Sequence, residues 1–221
     1  MRIIRSSSPA LLRSACRLGG VAIAATLLLS GCNSTPSRSR VFVIRGANMQ
    51  PTLRGCEGCT DDKVLVNTSA DVADAVGPGD IIVFRAAEWN DGEIATAFVS
   101  RVIAVGGQTV KGVSTDGGVT ERVMISDHGD AGPWRRLTER YVFLDGPDPV
   151  ANFGPVTVPM GRLWVMGDHR NDSADSRYHC GEAATIGNPA ECMPVLSTVP
   201  SGNVIGKVVK IVFPANRKRR L

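Results

Sequence analysis

The chain has 221 residues, with 25 Lys plus Arg against 21 Asp plus Glu and a net charge of +4. That balance is mild, and part of it sits at the two ends, so nucleic-acid binding has little support: no basic stripe with interleaved aromatics runs through the middle. With 43% hydrophobic residues the chain can bury a real core, and its length suits one domain plus a targeting segment.

In chain order, Arg2, Arg5, Arg13 and Arg17 precede an apolar run from Leu18 to Gly31. Positive residues followed by a short apolar run fit an export signal over 1–31. The run is shorter than the roughly 20 residues a helix needs to span a bilayer. Leu29-Ser30-Gly31-Cys32 resembles the lipobox of bacterial lipoproteins, which implies lipidation of Cys32 and a new N-terminus there. The Ser- and Arg-rich stretch 32–40 then reads as a polar tether. The other reading is an uncleaved single membrane anchor with Cys32 incidental. Either way the domain sits on the extracytoplasmic face of the cell membrane, with the lipid membrane as a partner.

From residue 41 the pattern is mostly β. Short β-branched runs at Val41–Ile44, Lys63–Val66, Ile81–Phe84, Phe98–Val105, Tyr141–Leu144, Leu163–Met166 and Val204–Phe213 read as strands, separated by turn-rich pieces such as Gly77-Pro78-Gly79-Asp80 and Asp145 to Pro149. Asp116-Gly117-Gly118 reads as a hairpin turn, since no strand-to-helix context makes it a phosphate loop. The domain is expected over 41–213, with 108–160 a variable insert. The tail 214–221, carrying Arg217-Lys218-Arg219-Arg220, reads as a solvated mobile end, or as one drawn to anionic lipid at about 1 kcal/mol per basic side chain.

Cys16 falls in the signal and Cys32 at the lipobox, which leaves Cys56, Cys59, Cys180 and Cys192 in the exported domain. An even number in an oxidising compartment favours two disulfides, with the local pairs Cys56–Cys59 and Cys180–Cys192 preferred among three pairings. Zinc bound by four sulfurs and a redox-active Cys56-x-x-Cys59 pair are the alternatives. No metal or other cofactor is expected.

Three blocks carry a family resemblance. Gly46-Ala47-Asn48-Met49-Gln50-Pro51-Thr52-Leu53 resembles the nucleophile block of type I signal peptidases, Gly-x-Ser-Met-x-Pro-Thr-Leu. Ser100-Arg101-Val102-Ile103 resembles the Lys-Arg-Val-Ile strand that carries the general base. Gly167-Asp168-His169-Arg170-Asn171-Asp172-Ser173-Ala174-Asp175-Ser176-Arg177 resembles the block Gly-Asp-Asn-Arg-x-x-Ser-x-Asp-Ser-Arg. The resemblance covers about 41–213 and implies a signal-peptidase-like β-fold of antiparallel sheets. It also implies supporting pairs Asp168–Arg101 and Asp175–Arg177, with Ser173 orienting the lysine. Gly46, Met49 and Gln50 would border a peptide groove between strands at 46–49 and 98–101, where an extended peptide adds to strand edges.

The chemistry fails at two positions. The family cleaves with a serine hydroxyl activated by a lysine kept neutral by burial. Here those places hold Asn48, whose amide nitrogen is conjugated and no nucleophile, and Ser100, a poor proton acceptor. The backbone N–H of Asn48 keeps the capacity to donate to a carbonyl. A non-catalytic homologue that binds exported peptides is therefore favoured. The alternatives are an active signal peptidase with a rearranged site and a structural lipoprotein with a vestigial groove.

Overall fold

The computed structural model describes residues 4–5, 38–89, 96–182 and 192–221. Cys16, Cys32 and the tether through residue 37 lie outside the described residues. Among the described residues thirteen strands form two sheets. The larger sheet runs β1 (Ile4–Arg5), β2 (Ser39–Val43), β3 (Lys63–Asn67), β12 (Val204–Phe213), β4 (Ile81–Phe84), β5 (Phe98–Val105), β10 (Arg162–Met166) and β11 (Val199–Pro200), with β13 (Arg219–Arg220) added against β12. Every pairing is antiparallel. β1 falls in the stretch read as the export signal, so cleavage before Cys32 would remove it.

The period-2 pattern places one apolar set on each face of this sheet. Phe42, Val64, Val66, Val83, Val99, Val208 and Ile211 pack together with Ile44, Met49 and Leu53. Ile82, Phe84, Val102, Leu163, Val165 and Val199 form a second cluster. β4 is buried at all four positions, which explains why it reads as a continuous apolar run and not as an alternating one.

The stretch 108–160, read as a variable insert, contains a second antiparallel sheet in the order β8 (Arg135–Arg136), β7 (Arg122–Ser126), β6 (Thr109–Val113) and β9 (Phe153–Thr157). It shares a core with the larger sheet: Val110, Ile125, Phe153 and Val156 pack against Ile103, Trp164 and Met166, with the Phe153 and Trp164 rings stacked 5.2 Å apart. Asp116–Gly118 falls in the connection between β6 and β7, which pair antiparallel from Thr109↔Ser126 to Val113↔Arg122.

Three expectations are corrected. Tyr141–Leu144 is not a strand; Phe143 makes a single bridge to His169, its N–H donating to Asp168 O at 2.8 Å and its carbonyl accepting from the Arg170 N–H at 3.0 Å, and no ladder extends from it. Residues 46–49 form bends and a turn, with Gln50 N–H donating to Ala47 O at 2.8 Å and Leu53 N–H to Met49 O at 2.8 Å. The basic tail is docked. Arg217 grips the buried Asp62 carboxylate with Nε–Oδ1 at 2.8 Å and Nη2–Oδ2 at 2.9 Å, and β13 extends the sheet.

Cys56 and Cys59 are joined, as are Cys180 and Cys192, so these four sulfurs form two disulfides. The second closes a 12-residue separation between helix α1 (Ser176–Glu182) and the residues just before helix α2 (Pro194–Ser197). Loop closure of that length restrains the unfolded chain, so replacing both Cys180 and Cys192 by Ala is expected to lower stability by about 2–3 kcal/mol. Denaturant unfolding measures this, with non-reducing peptide mapping to verify the pairing. Among the described residues no helix is long and apolar enough to cross a membrane.

Candidate functional site

The turn after β2 is anchored from below. Met49 and Leu53 are fully buried in the core, while Gly46 at φ 103° is exposed and Gln50 half-buried. Met49 therefore does not border a groove: its side chain is one of the pegs that seat the turn. The docked tail seats it from the other side, since Arg217 and Arg219 donate to the carbonyls of Pro51 and Thr52. Asp62 completes this clamp by accepting from the Arg54 N–H at 2.8 Å. Asp62, Arg217 and Arg219 were not among the sequence-read site residues. Their signal was available only as charge, because Asp62 lies 155 positions from Arg217.

Asn48 stands at the top of this turn, against β5. Its carboxamide nitrogen donates to Val99 O at 2.9 Å, and its backbone carbonyl accepts from the His169 N–H at 3.0 Å. Ser100, buried on β5, turns its hydroxyl back to the same Val99 carbonyl at 2.8 Å. The two positions where the resemblance places nucleophile and base are thus neighbours through one shared acceptor. Asn48 Oδ1 and Ser173 Oγ are buried and form no well-aligned hydrogen bond among the described residues, although the Ser173 hydroxyl helps to keep Asp175 ionised.

A neutral lysine base needs burial. The chain's five lysines are Lys63, Lys111, Lys207, Lys210 and Lys218, and each is exposed or half-exposed. Lys63 lies over the Phe213 ring, Lys111 over Trp134, and Lys207 pairs with Asp80 at 2.6 Å. None is a hydrogen-bond partner of Asn48 or Ser100.

Behind the turn the polar frame is densely paired. Arg101 holds Asp168 in a two-pronged contact, Nε–Oδ1 at 2.8 Å and Nη2–Oδ2 at 2.6 Å, and donates a third bond to Gly79 O. Its guanidinium lies 3.8 Å from the Tyr141 ring centre, and burial pushes the Tyr141 hydroxyl pKa upward. Arg177 grips Asp175 through Nε–Oδ1 at 2.9 Å and Nη2–Oδ2 at 2.8 Å. It also contacts Asp148 and Glu121, while Arg170 pairs with Glu121 and Glu139. Burial acts to raise the Asp175 pKa, but Arg177 outweighs it and the net shift is downward. For Glu121 burial wins over both arginines and the shift is upward. Glu121, Glu139 and Asp148 come from the second sheet and its loops. They were invisible from sequence because nothing marks which carboxylates will face a buried guanidinium.

Gly167 explains the tightness around Asn48. A Cβ there would lie 2.3 Å from Ser173 Oγ and 2.5 Å from Asn48 O, so only glycine lets the 167–177 segment pass this close to the turn. His169 follows it, buried, with its ring 4.9 Å from Phe143 and Nε2 at 3.1 Å from Asp145. Asp145 is held below the ordinary carboxylate range, first by the Asn171 amide and then by His169.

A family model described as signal peptidase, peptidase S26, matches residues 16–213. A probable signal peptidase I of Mycobacterium leprae is 38% identical over 208 residues, covering 81% of this chain and 70% of that protein. A signal peptidase I of Mycobacterium tuberculosis H37Rv is 37% identical over 207 residues, covering 81% of this chain and 66% of its own length. Among solved structures, a signal peptidase I from Enterococcus faecalis V583 is similar at 22% identity and a TM-score of 0.37, covering 60% of this chain and 95% of that one.

Proposed function

The chain belongs to the signal peptidase family, peptidase S26, and we propose that it is a non-catalytic member which binds extended segments of exported peptides at the extracytoplasmic face of a membrane. One observation carries this reading. Asn48 and Ser100 each donate a hydrogen bond to the Val99 carbonyl, and no lysine is buried to act as a neutral base. Neither a nucleophile nor a proton acceptor stands at the site, while the paired frame Arg101–Asp168 and Asp175–Arg177 that would position them is intact.

Binding without cutting is supported by the strand edge beside Asn48. β10 pairs with β5 no further than Met166↔Arg101, so among the described residues the stretch of β5 from Phe98 to Ser100 has β4 on one side and no strand on the other. An extended peptide adds to such an edge through backbone hydrogen bonds. The decisive experiment pairs single-turnover hydrolysis with a binding titration, using a signal-peptide-derived substrate with small residues at the first and third positions before the cut. Binding without cleavage is the expected result. Cleavage abolished by mutating another serine or lysine would overturn it, and absence of binding would leave a structural lipoprotein.

Membrane attachment has a separate test. Processing between Gly31 and Cys32, with a diacylglyceryl group on Cys32, is expected from Leu29-Ser30-Gly31-Cys32. Intact-mass measurement of membrane-extracted protein reads this directly, and an unlipidated full-length chain would sink the lipid anchor in favour of the uncleaved one.

A further inference from the structure

In an antiparallel strand the N–H and C=O of one residue point to the same neighbour, and the direction alternates along the chain. Val102 of β5 faces the β4 side: its N–H donates to Asp80 O and its carbonyl accepts from the Gly79 N–H, both at 2.8 Å. Arg101 faces the other side and is opposite Met166, the last residue of β10. By the same alternation Val99 also faces the β10 side, one rung beyond the end of that strand. Its carbonyl is the first free rung of the open edge, and it is not left free: the Asn48 carboxamide occupies it at 2.9 Å.

Asn48 is held there firmly. Its backbone carbonyl is fixed by the His169 N–H, the turn beneath it is pegged by Met49 and Leu53, and Gly167 allows the 167–177 segment to press against it. The arrangement is incomplete in one respect. Among the described residues Asn48 Oδ1 is buried without a hydrogen-bond partner, and a buried acceptor left unsatisfied carries a desolvation cost. The carboxamide therefore caps the edge at a cost in its own hydrogen bonding, which favours its release when a better-matched donor arrives.

Taking the peptide-binding reading as its basis, we infer that Asn48 is a gate on the peptide edge of β5: its side-chain amide stands in for the backbone N–H that an incoming extended peptide would donate to Val99 O, and the peptide binds by displacing it. The residue that takes the nucleophile's place then does more than abolish cleavage. It sets the affinity, by competing with the ligand for one rung. Ser100 Oγ also donates to Val99 O, so the carbonyl's second lone pair is engaged and no acceptor capacity is spare while Asn48 is in place.

The test is a fluorescence-anisotropy titration of the full chain in detergent micelles. The probe is a labelled signal-peptide segment with Ala at the first and third positions before the former cut. Asn48→Ala removes the cap, and Asn48→Asp keeps its size while removing the donor. Both are expected to bind the peptide about three- to tenfold tighter than the unmodified protein, the range set by one net hydrogen bond. Melting curves verify that each variant is folded. Equal or weaker affinity in both folded variants overturns the gate while leaving peptide binding standing. No binding in any of the three proteins overturns the peptide-binding reading and the gate with it. Binding by the variants alone, with none by the unmodified chain, supports the gate in its strongest form.

Discussion

The double substitution Asn48→Ser with Ser100→Lys is expected to convert the protein from one with no measurable cleavage into a working signal peptidase, at a rate at least about 10³-fold above either single variant. The reason is geometric. The two positions already share the Val99 carbonyl as acceptor, so a serine hydroxyl at 48 and a lysine on β5 at 100 start as neighbours. Ser100 is buried, and a lysine reaching through that environment is pushed toward its neutral form. Ser173 Oγ, buried without a well-aligned bond, is available to accept from the new amine. Asn48→Ser alone supplies a hydroxyl with no base, and Ser100→Lys alone supplies a base facing an amide that cannot attack. Residues of a catalytic unit act together, so near-zero activity in both singles and recovery in the double is the signature. Single-turnover hydrolysis of a peptide with small residues before the cut, across the four proteins, measures it. A folded, peptide-binding double variant that cleaves no faster than the singles would show that the frame has drifted as well as the dyad.

Much of this frame was legible from residue order. Ile81–Phe84 and Phe98–Val105 are strands with the bounds that their β-branched runs suggest, because apolar runs that short between turn residues have few other ways to be buried. The motif at 167–177 names residues that the fold brings together, Asp168 with Arg101 and Asp175 with Arg177. Three things were not legible. Tyr141–Leu144 has strand composition but no strand partner, since Phe143 bonds to the Asp168–Arg170 segment through an isolated bridge; β-propensity describes a surface that fits a sheet, and the sheet must be there. The second sheet was hidden because its strands are short and its register depends on contacts with Ile103 and Trp164 far along the chain. The docking of Arg217 and Arg219 under the Asn48 turn was hidden because a basic tail reads as solvated until its carboxylate and carbonyl partners are located in space.

The same tail changes what mutations far from the turn should do. Asp62 is fully buried and answers Arg217, so the clamp joins the end of the chain to the segment that presents Asn48. The partly exposed Arg217 guanidinium has its pKa raised, first by the hydrogen bond to Asp62. The pair is largely sheltered from water, so it keeps a fixed geometry and holds the Pro51–Thr52 carbonyls still.

The largest loss of stability is expected at Arg177. This side chain is completely buried and faces Asp175, Asp148 and Glu121 at once. Arg177→Met keeps volume and removes the charge, leaving the Asp175, Asp148 and Glu121 carboxylates buried, with Glu121 still paired to Arg170. Breaking a buried ion pair from one side costs about 3–5 kcal/mol, which lowers the melting temperature by roughly 6–20 °C in a chain of this size. The pH dependence separates this cause from lost packing. In the unmodified protein the Asp175 pKa lies below the ordinary aspartate value of about 3.8, held there by Arg177 against burial. It therefore contributes stability above about that pH and loses it as pH falls through the depressed value. Glu121 has the opposite sign: raised above 4.5 by burial, its contribution is present at lower pH and fades as pH climbs through the raised value. Without Arg177, burial is left to raise Asp175 as it already raises Glu121, so both favour the folded state in their protonated form. On going from pH 7 to pH 5 the variant should thus gain more stability than the unmodified protein, in which Asp175 is held in its ionised form by Arg177. Thermal melting across that range reads the difference. Should Arg177→Met fail to fold at pH 7, refolding at pH 5 applies the same test, and Asp148→Asn, which relieves one carboxylate, is expected to restore part of the loss. A variant equally unstable at both pH values, and unaffected by Asp148→Asn, would mean that Arg177 acts through its shape and not through its charge.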